Sequence, residues 1–147
     1  MLFRSLIEHI GGFEANLAAK ERLEKLGFTV FFSEHYLEND MLDSASIESR
    51  VADIHAAFSD DSVDAILATI GGFNCNELLP YLDFELIARN PKIFCGYSDT
   101  TALLSAIYTK TGMKTYMDRP TPALRWMPCR TIRLRAGSRP SARLLMN

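Results

Sequence analysis

The sequence has few of the features that mark secreted, membrane-spanning or metal-binding proteins. Its three cysteines, Cys75, Cys95 and Cys129, include no CxxC pair and none beside a histidine, which argues against a disulfide framework and a zinc site. No apolar run approaches the roughly 18 residues that a membrane span requires. The N-terminal segment becomes polar too early for a signal peptide. These absences predict a reduced, cytoplasmic protein without a disulfide framework, a zinc site or a membrane partner.

Charge of one sign is missing from the C-terminal stretch. Residues 119–147 hold seven arginines but no lysine and no acidic residue. The first 118 residues carry 9 basic and 18 acidic side chains, so the formal net charge of −2 combines an acidic body with a basic tail. Such a tail could attract nucleic acid through its charge. It has no recognisable motif and no aromatic residue besides Trp126, so we expect no nucleic-acid partner.

Short apolar strands alternate with amphipathic helices along the first 117 residues. Helices are predicted over residues 13–26, 46–58 and 99–111, and two short helical pieces over residues 77–88. Strands are predicted over residues 28–32, 64–70, 92–96 and 114–117. This alternation is the signature of parallel βαβ units. We therefore expect an α/β fold, with a flavodoxin-like parallel sheet flanked by helices.

The pattern is incomplete at both ends. It begins with a helix, and residues 2–7 are a poor candidate for the central first strand of such a sheet. From Asp118 onward the periodicity stops, with no candidate element before Ser141 to Met146. We therefore divide the chain into an α/β domain over residues 1–117 and an arginine- and proline-rich tail over residues 118–147. The composition of the tail is typical of a disordered segment or of a frameshifted reading.

Two segments end predicted strands in ways that suit chemistry, since ligands of open α/β sheets bind beyond the carboxyl ends of the strands. The first is Gly71-Gly72-Phe73-Asn74, where paired glycines let backbone N–H groups approach a ligand closely. A plain strand-to-helix turn is the commoner meaning of a bare Gly-Gly. The second is Gly96-Tyr97-Ser98-Asp99, at a predicted strand-to-helix junction. Such a junction presents a serine as a nucleophile elbow does, although Ser98 or Asp99 could instead merely cap the helix.

A serine nucleophile needs a base, and the sequence offers no convincing one. His9 lies in the N-terminal segment, His35 in a polar loop and His55 on the second predicted helix. None follows a strand end in a way that would direct it at Ser98. The residues alone thus predict a nucleophile without its base.

The sequence around these segments resembles the LD-carboxypeptidase family of serine peptidases, which includes muramoyltetrapeptide carboxypeptidases and microcin C immunity proteins. The resemblance is carried by Ala68 to Asp83, which contains the Gly-Gly turn, and by Asn90 to Leu104, which contains the Gly-Tyr-Ser-Asp motif. The stretches Leu23 to Val30 and Arg50 to Phe58 also fit. Together they cover about residues 11–117, in family order and with family-like spacing. The paired asparagines of Ile70-Gly71-Gly72-Phe73-Asn74-Cys75-Asn76 are nearer to the microcin immunity branch.

The resemblance implies a Ser-Glu-His hydrolase in which Ser98 is the nucleophile. It implies an oxyanion hole formed by the backbone N–H groups of Gly72 and Asp99, with Gly71 and Asn74 in the substrate-binding turn. The implied substrate is a small peptide from peptidoglycan or a peptidyl-nucleotide such as processed microcin C. No metal or organic cofactor is implied, and a homodimer is common in the family.

The sequence departs from the family at its first strand and after Met117, where the C-terminal domain that carries the Glu and His should follow. We therefore expect this chain by itself to be inactive, marginally stable and self-associating. Two alternatives to a serine LD-carboxypeptidase-like hydrolase are an inactive truncated remnant and a non-catalytic flavodoxin-like ligand-binding module.

Overall fold

Helices and strands alternate along the chain much as the apolar pattern predicts. The computed structural model describes residues 12–38, 40–41, 44–68, 71–117 and 143–146. Its elements are α1 (Gly12–Lys25), β1 (Thr29–Phe32), α2 (Ile47–Ser59), β2 (Ala65–Leu67), a 3₁₀ helix (Cys75–Tyr81), α3 (Phe84–Arg89), β3 (Ile93–Gly96), a 3₁₀ turn (Ser98–Thr100), α4 (Thr101–Thr111), β4 (Tyr116–Met117) and β5 (Arg143–Met146). None of these helices is both long and apolar enough to cross a bilayer.

The five strands form one parallel sheet in the order β1-β5-β2-β3-β4. The predicted parallel sheet flanked by helices is therefore confirmed. The central place, for which the sequence offered no convincing N-terminal strand, is taken by β5. If β5 is counted as the first strand, the order becomes 2-1-3-4-5, which is the flavodoxin-like order.

Local signals fix the helix ends where the sequence predicts them. The side chain of Ser46 caps α2 by accepting a hydrogen bond from the backbone N–H of Ser49 at 3.0 Å. Gly112 ends α4 in the left-handed conformation, with φ of 72°, which glycine adopts without a Cβ clash. α2 therefore has a defined start after β1, and α4 has a defined end before β4.

Apolar side chains cover both faces of the sheet, as a parallel sheet requires. On one face α2, α3, α4 and the 3₁₀ helix contribute to a large cluster in which Phe58, Leu78 and Ile107 are fully buried. On the other face α1 contributes Ala19 and Leu23 to a smaller cluster. The sheet thus holds its carboxyl ends, where the candidate site lies, on a packed base.

The tail predicted over residues 118–147 contributes β5 to the sheet. Residues 118–142 and 147 lie outside the described residues. The division of the chain at residue 117, and the character assigned to the tail, stay predictions.

Candidate nucleophile elbow

Ser98 lies at a sharp turn between β3 and α4 and is exposed. Its φ is +56°, and among the non-glycine residues described here Ser98 alone has a positive φ. This conformation costs a residue with a Cβ about 1 kcal/mol or more, and such strain clusters at functional sites. The strand, the strained serine and the following helix together match the geometry of a nucleophile elbow.

Gly96 makes the turn possible because there is no room for a side chain at its position. A Cβ on Gly96 would lie 2.6 Å from Cγ2 of Thr100 and 3.1 Å from Cβ of Ala68. The backbone N–H of Thr100 donates to the carbonyl oxygen of Tyr97 at 3.2 Å, which closes the turn. The elbow is therefore held by close packing against Ala68, directly after β2, as well as by its own hydrogen bond.

The fold brings the two segments singled out in the sequence together at one edge of the sheet. A Cβ on Gly71 would lie 2.4 Å from Cβ of Ser98, 2.8 Å from its Oγ and 3.1 Å from the carbonyl oxygen of Tyr97. The backbone of Gly71 therefore packs directly against the serine side chain, an approach that only glycine permits. Gly72 follows it and is half-buried.

Asp99 connects the elbow to the glycine turn through its side chain. Its Oδ2 accepts a hydrogen bond from the backbone N–H of Cys75 at 2.8 Å. Burial raises the pKa of the Cys75 thiol, and the hydrogen bond with Asp99 raises it further. The thiol therefore stays protonated and does not compete with Ser98 as a nucleophile. The role predicted for the backbone N–H groups of Gly72 and Asp99 in an oxyanion hole stays a prediction.

Asn74 is held inside the protein by a buried arginine that the sequence analysis missed. The guanidinium of Arg50, on α2, is 2% exposed and donates to the side-chain oxygen of Asn74 at 2.9 Å and to its backbone oxygen at 3.3 Å. A third bond from Arg50 reaches Glu77 at 2.9 Å. The side-chain amide of Asn74 donates to Ser44 Oγ at 3.1 Å. The predicted contact of Asn74 with substrate stays a prediction, while its side chain anchors the turn.

A signal for Arg50 was present in the sequence. Arg50, Ile54 and Phe58 are spaced four residues apart, so they share one face of α2. All three are buried. A charged residue that begins an apolar stripe indicates a buried side chain with fixed partners, because an unpaired buried charge would be very costly.

The two histidines that the structure describes are engaged away from Ser98. His35 Nδ1 lies 2.7 Å from Oδ1 of Asp53, and Nε2 of His55 accepts a hydrogen bond from the backbone N–H of Asp83 at 2.9 Å. Neither of these hydrogen bonds includes Ser98. Within the described ranges, no group of three or more His, Cys, Asp and Glu side chains could hold a metal ion.

The His35–Asp53 contact gives the stability of the fold a pH dependence. Its hydrogen bond with Asp53 raises the pKa of His35 from its ordinary value, against the opposing effect of burial, and Glu34 and Glu38 add smaller increases. The contribution of this contact to the free energy of unfolding is therefore complete below about pH 6.5, and it is lost as the pH rises through the higher pKa of His35 in the folded state.

Urea unfolding at about pH 6 and about pH 8.5 tests this dependence. The free energy of unfolding of wild type should exceed that of His35→Gln at the lower pH, and the difference should shrink at the higher pH. A difference in the free energy of unfolding that is the same at both pH values would contradict this expectation.

Known proteins are similar to this chain in sequence and in fold. The chain matches the profile described as the LD-carboxypeptidase N-terminal domain over residues 8–118. YocD of Bacillus subtilis (strain 168), provisionally named a carboxypeptidase, is 61% identical over 103 residues, which cover 70% of this chain and 32% of YocD. The crystal structure of an MccF-like protein from Bacillus anthracis str. Ames is 57% identical with a TM-score of 0.71, covering 72% of this chain and 32% of that one.

A further similar structure was solved with a ligand. The microcin C7 self-immunity protein MccF, known from Escherichia coli, was determined in complex with aspartyl sulfamoyl adenosine; it is 40% identical with a TM-score of 0.66, covering 69% of this chain and 30% of that one. The chain thus spans about a third of the length of the proteins that it matches.

Proposed function

The chain belongs to the LD-carboxypeptidase family, and on that basis we propose that Ser98 is the nucleophile of a serine-type carboxypeptidase. The observation that carries the proposal is the positive φ of Ser98 between β3 and α4, with Gly71 packed against its side chain. A strained serine at a helix start has its hydroxyl presented beyond the sheet edge, where a substrate carbonyl can reach it.

The reaction that this geometry favours is acyl transfer through the serine. Ser98 Oγ attacks the carbonyl carbon of the scissile amide while its proton passes to a base, and the carbonyl oxygen becomes an oxyanion. The N–H groups of Gly72 and Asp99 are our candidates to stabilise that charge. The amine leaves with a proton, and water then hydrolyses the acyl-enzyme. In the Ser-Glu-His triad that the family implies, the His is the base and the Glu orients it. His35 and His55, with their described contacts, are not assigned to the role of that His.

For the substrate we propose an acidic aminoacyl-nucleotide of the microcin type. Support comes from the MccF-like relative at 57% identity and from the aspartyl sulfamoyl adenosine bound to MccF. The amide next to a free carboxylate in a peptidoglycan stem peptide is the alternative. Both substrates carry a small acidic or carboxylate-bearing group beside the carbonyl that reacts, so one elbow could serve either.

A fluorophosphonate probe tests the nucleophile, because it phosphonylates an activated serine. Neither described histidine is assigned as the base, so we expect labelling to be slow; it should map to Ser98 by mass spectrometry and fall to background in Ser98→Ala. Ser105→Ala is the matched control, since Ser105 is an exposed serine on α4, and its labelling should equal that of wild type. Labelling that persists in Ser98→Ala would exclude Ser98. A folded wild-type chain without any labelling would favour the inactive remnant or the ligand-binding module.

The same assay separates the two substrate classes. Aspartyl sulfamoyl adenosine should slow the labelling of Ser98 at lower concentration than a peptidoglycan tetrapeptide does. The reverse order would move the proposal to the peptidoglycan substrate.

A further inference from the structure

The centre of the sheet is filled by a segment from far along the chain. β5 pairs in parallel with β1 on one side and with β2 on the other. β1 and β2 are consecutive strands, joined through α2, yet they do not pair with each other. The first four strands therefore leave a gap one strand wide, bordered by two parallel backbone edges.

The register fits β5 to the apolar layers of both neighbours. Leu145 is opposite Phe31 of β1 and opposite Ile66 of β2. Leu145 is 4% exposed and belongs to the large cluster together with Ile66, while Phe31 packs against that cluster. A register shift of one residue would turn this side chain to the opposite face, so the gap selects one alignment of the segment.

An empty gap would be unfavourable for two physical reasons. The facing N–H and C=O groups of β1 and β2 would lose their strand partners, at a cost of about 1 kcal/mol or more for each buried group. The apolar surface around Ile66 would also become exposed. The gap therefore requires an extended, apolar occupant that runs parallel to its neighbours.

The chain is long enough to supply that occupant itself. A parallel return needs about a dozen residues or more, and 25 residues separate Met117 of β4 from Arg143 of β5. An extended chain of that length can reach roughly 80 Å, whereas crossing three strand spacings requires only about 15 Å. No second copy is needed to fill the gap.

We propose that the gap between β1 and β2 is a strand-acceptor site, which binds an extended apolar segment in parallel and which residues 143–146 of the same chain occupy in solution. The site recognises backbone pairing on both edges and one buried aliphatic side chain at the position of Leu145. Because this segment binds between β1 and β2, its removal should destabilise β1 and β2 more than β3 and α4.

Hydrogen exchange measured by mass spectrometry on the full chain tests the proposal without relying on any activity. In wild type, the amides of β1 and β2 should be protected. Leu145→Asp should speed their exchange by about 100-fold or more, since deleting a buried leucine typically costs at least that factor in stability. β3 and α4 should keep most of their protection. Leu37→Asp is the control, because Leu37 is 58% exposed, and its pattern should equal that of wild type.

A synthetic peptide of residues 141–147 should restore protection of β1 and β2 when added to Leu145→Asp. If that variant unfolds throughout, the milder Leu145→Ala should still raise exchange in β1 and β2 more than in β3. Unprotected β1 and β2 in wild type, unchanged protection in Leu145→Asp or no restoration by the peptide would overturn the proposal. Protection seen only in a dimer, identified by native mass spectrometry, would assign the occupant to a second copy and would also overturn it.

Discussion

Gly71→Ala should slow phosphonylation of Ser98 by about 100-fold or more. The new methyl group would lie 2.4 Å from Cβ of Ser98 and 2.8 Å from its Oγ, so either the serine or the glycine turn must move. A displaced donor of an oxyanion hole typically costs 10²- to 10³-fold in rate. Overpacking at a close contact should also lower the free energy of unfolding by about 1–3 kcal/mol. The rate is measured with the fluorophosphonate probe and the stability by urea unfolding.

Gly112→Ala is the matched control for this effect. Gly112 has a positive φ but open space around it, since a Cβ there would meet nothing within 4 Å. Its substitution should cost about 1 kcal/mol of backbone strain and leave the labelling of Ser98 unchanged. Equal labelling rates in Gly71→Ala and wild type would show that the packing of Gly71 on Ser98 does not determine the reactivity of the serine.

Arg50→Met should lower the free energy of unfolding by about 3 kcal/mol. The substitution keeps the apolar length of the side chain but removes the bonds of the guanidinium to Asn74 and Glu77. Breaking a buried ion pair typically costs 3–5 kcal/mol. Glu77 is 48% exposed, so water can solvate its carboxylate when the guanidinium is removed. The expected loss is therefore at the lower end of this range. The main loss is at Asn74, whose buried oxygens would lack their donor.

Arg89→Met gives the comparison that isolates burial. Arg89 contacts Glu85 at 3.7 Å, and both side chains are largely exposed, at 68% and 88%. An exposed pair of this kind contributes little, so the expected change is below about 0.5 kcal/mol. Arg50→Lys should be nearly as destabilising as Arg50→Met, because one ammonium group cannot replace a planar fork with several partners. Equal stabilities of Arg50→Met and Arg89→Met would contradict the anchoring role of Arg50.

The elbow could be predicted from the sequence because its determinants are local. A buried strand, a glycine, a serine and a helix start follow one another over a few residues, and the structure gives that order with Ser98 at positive φ. The proximity of Gly71 was predictable for a similar reason. Neighbouring parallel strands end at the same edge of a sheet, so the turns that follow β2 and β3 meet there.

The anchoring network and the central strand depend on distant partners, which a local pattern does not identify. Arg50 reaches residues 24 and 27 positions away, and charged side chains on helices are usually solvated. β5 has only four residues and follows an arginine- and proline-rich stretch. Its apolar run is too short to distinguish a buried strand from an irregular segment. Its place in the sheet depends on a gap formed by β1 and β2.

The position of β5 also has a consequence for how fast the protein can fold. Phe31 and Leu145 are paired across the sheet although they are 114 positions apart in sequence, and Ile66 and Leu145 are 79 positions apart. Contacts this remote require the closure of long loops, whose entropic cost precedes any gain from the contact. Chains dominated by such pairings fold in milliseconds to seconds rather than microseconds. Until β5 closes the sheet, the unpaired edges of β1 and β2 are exposed to other chains. During synthesis in the cell they could pair with such chains and promote aggregation.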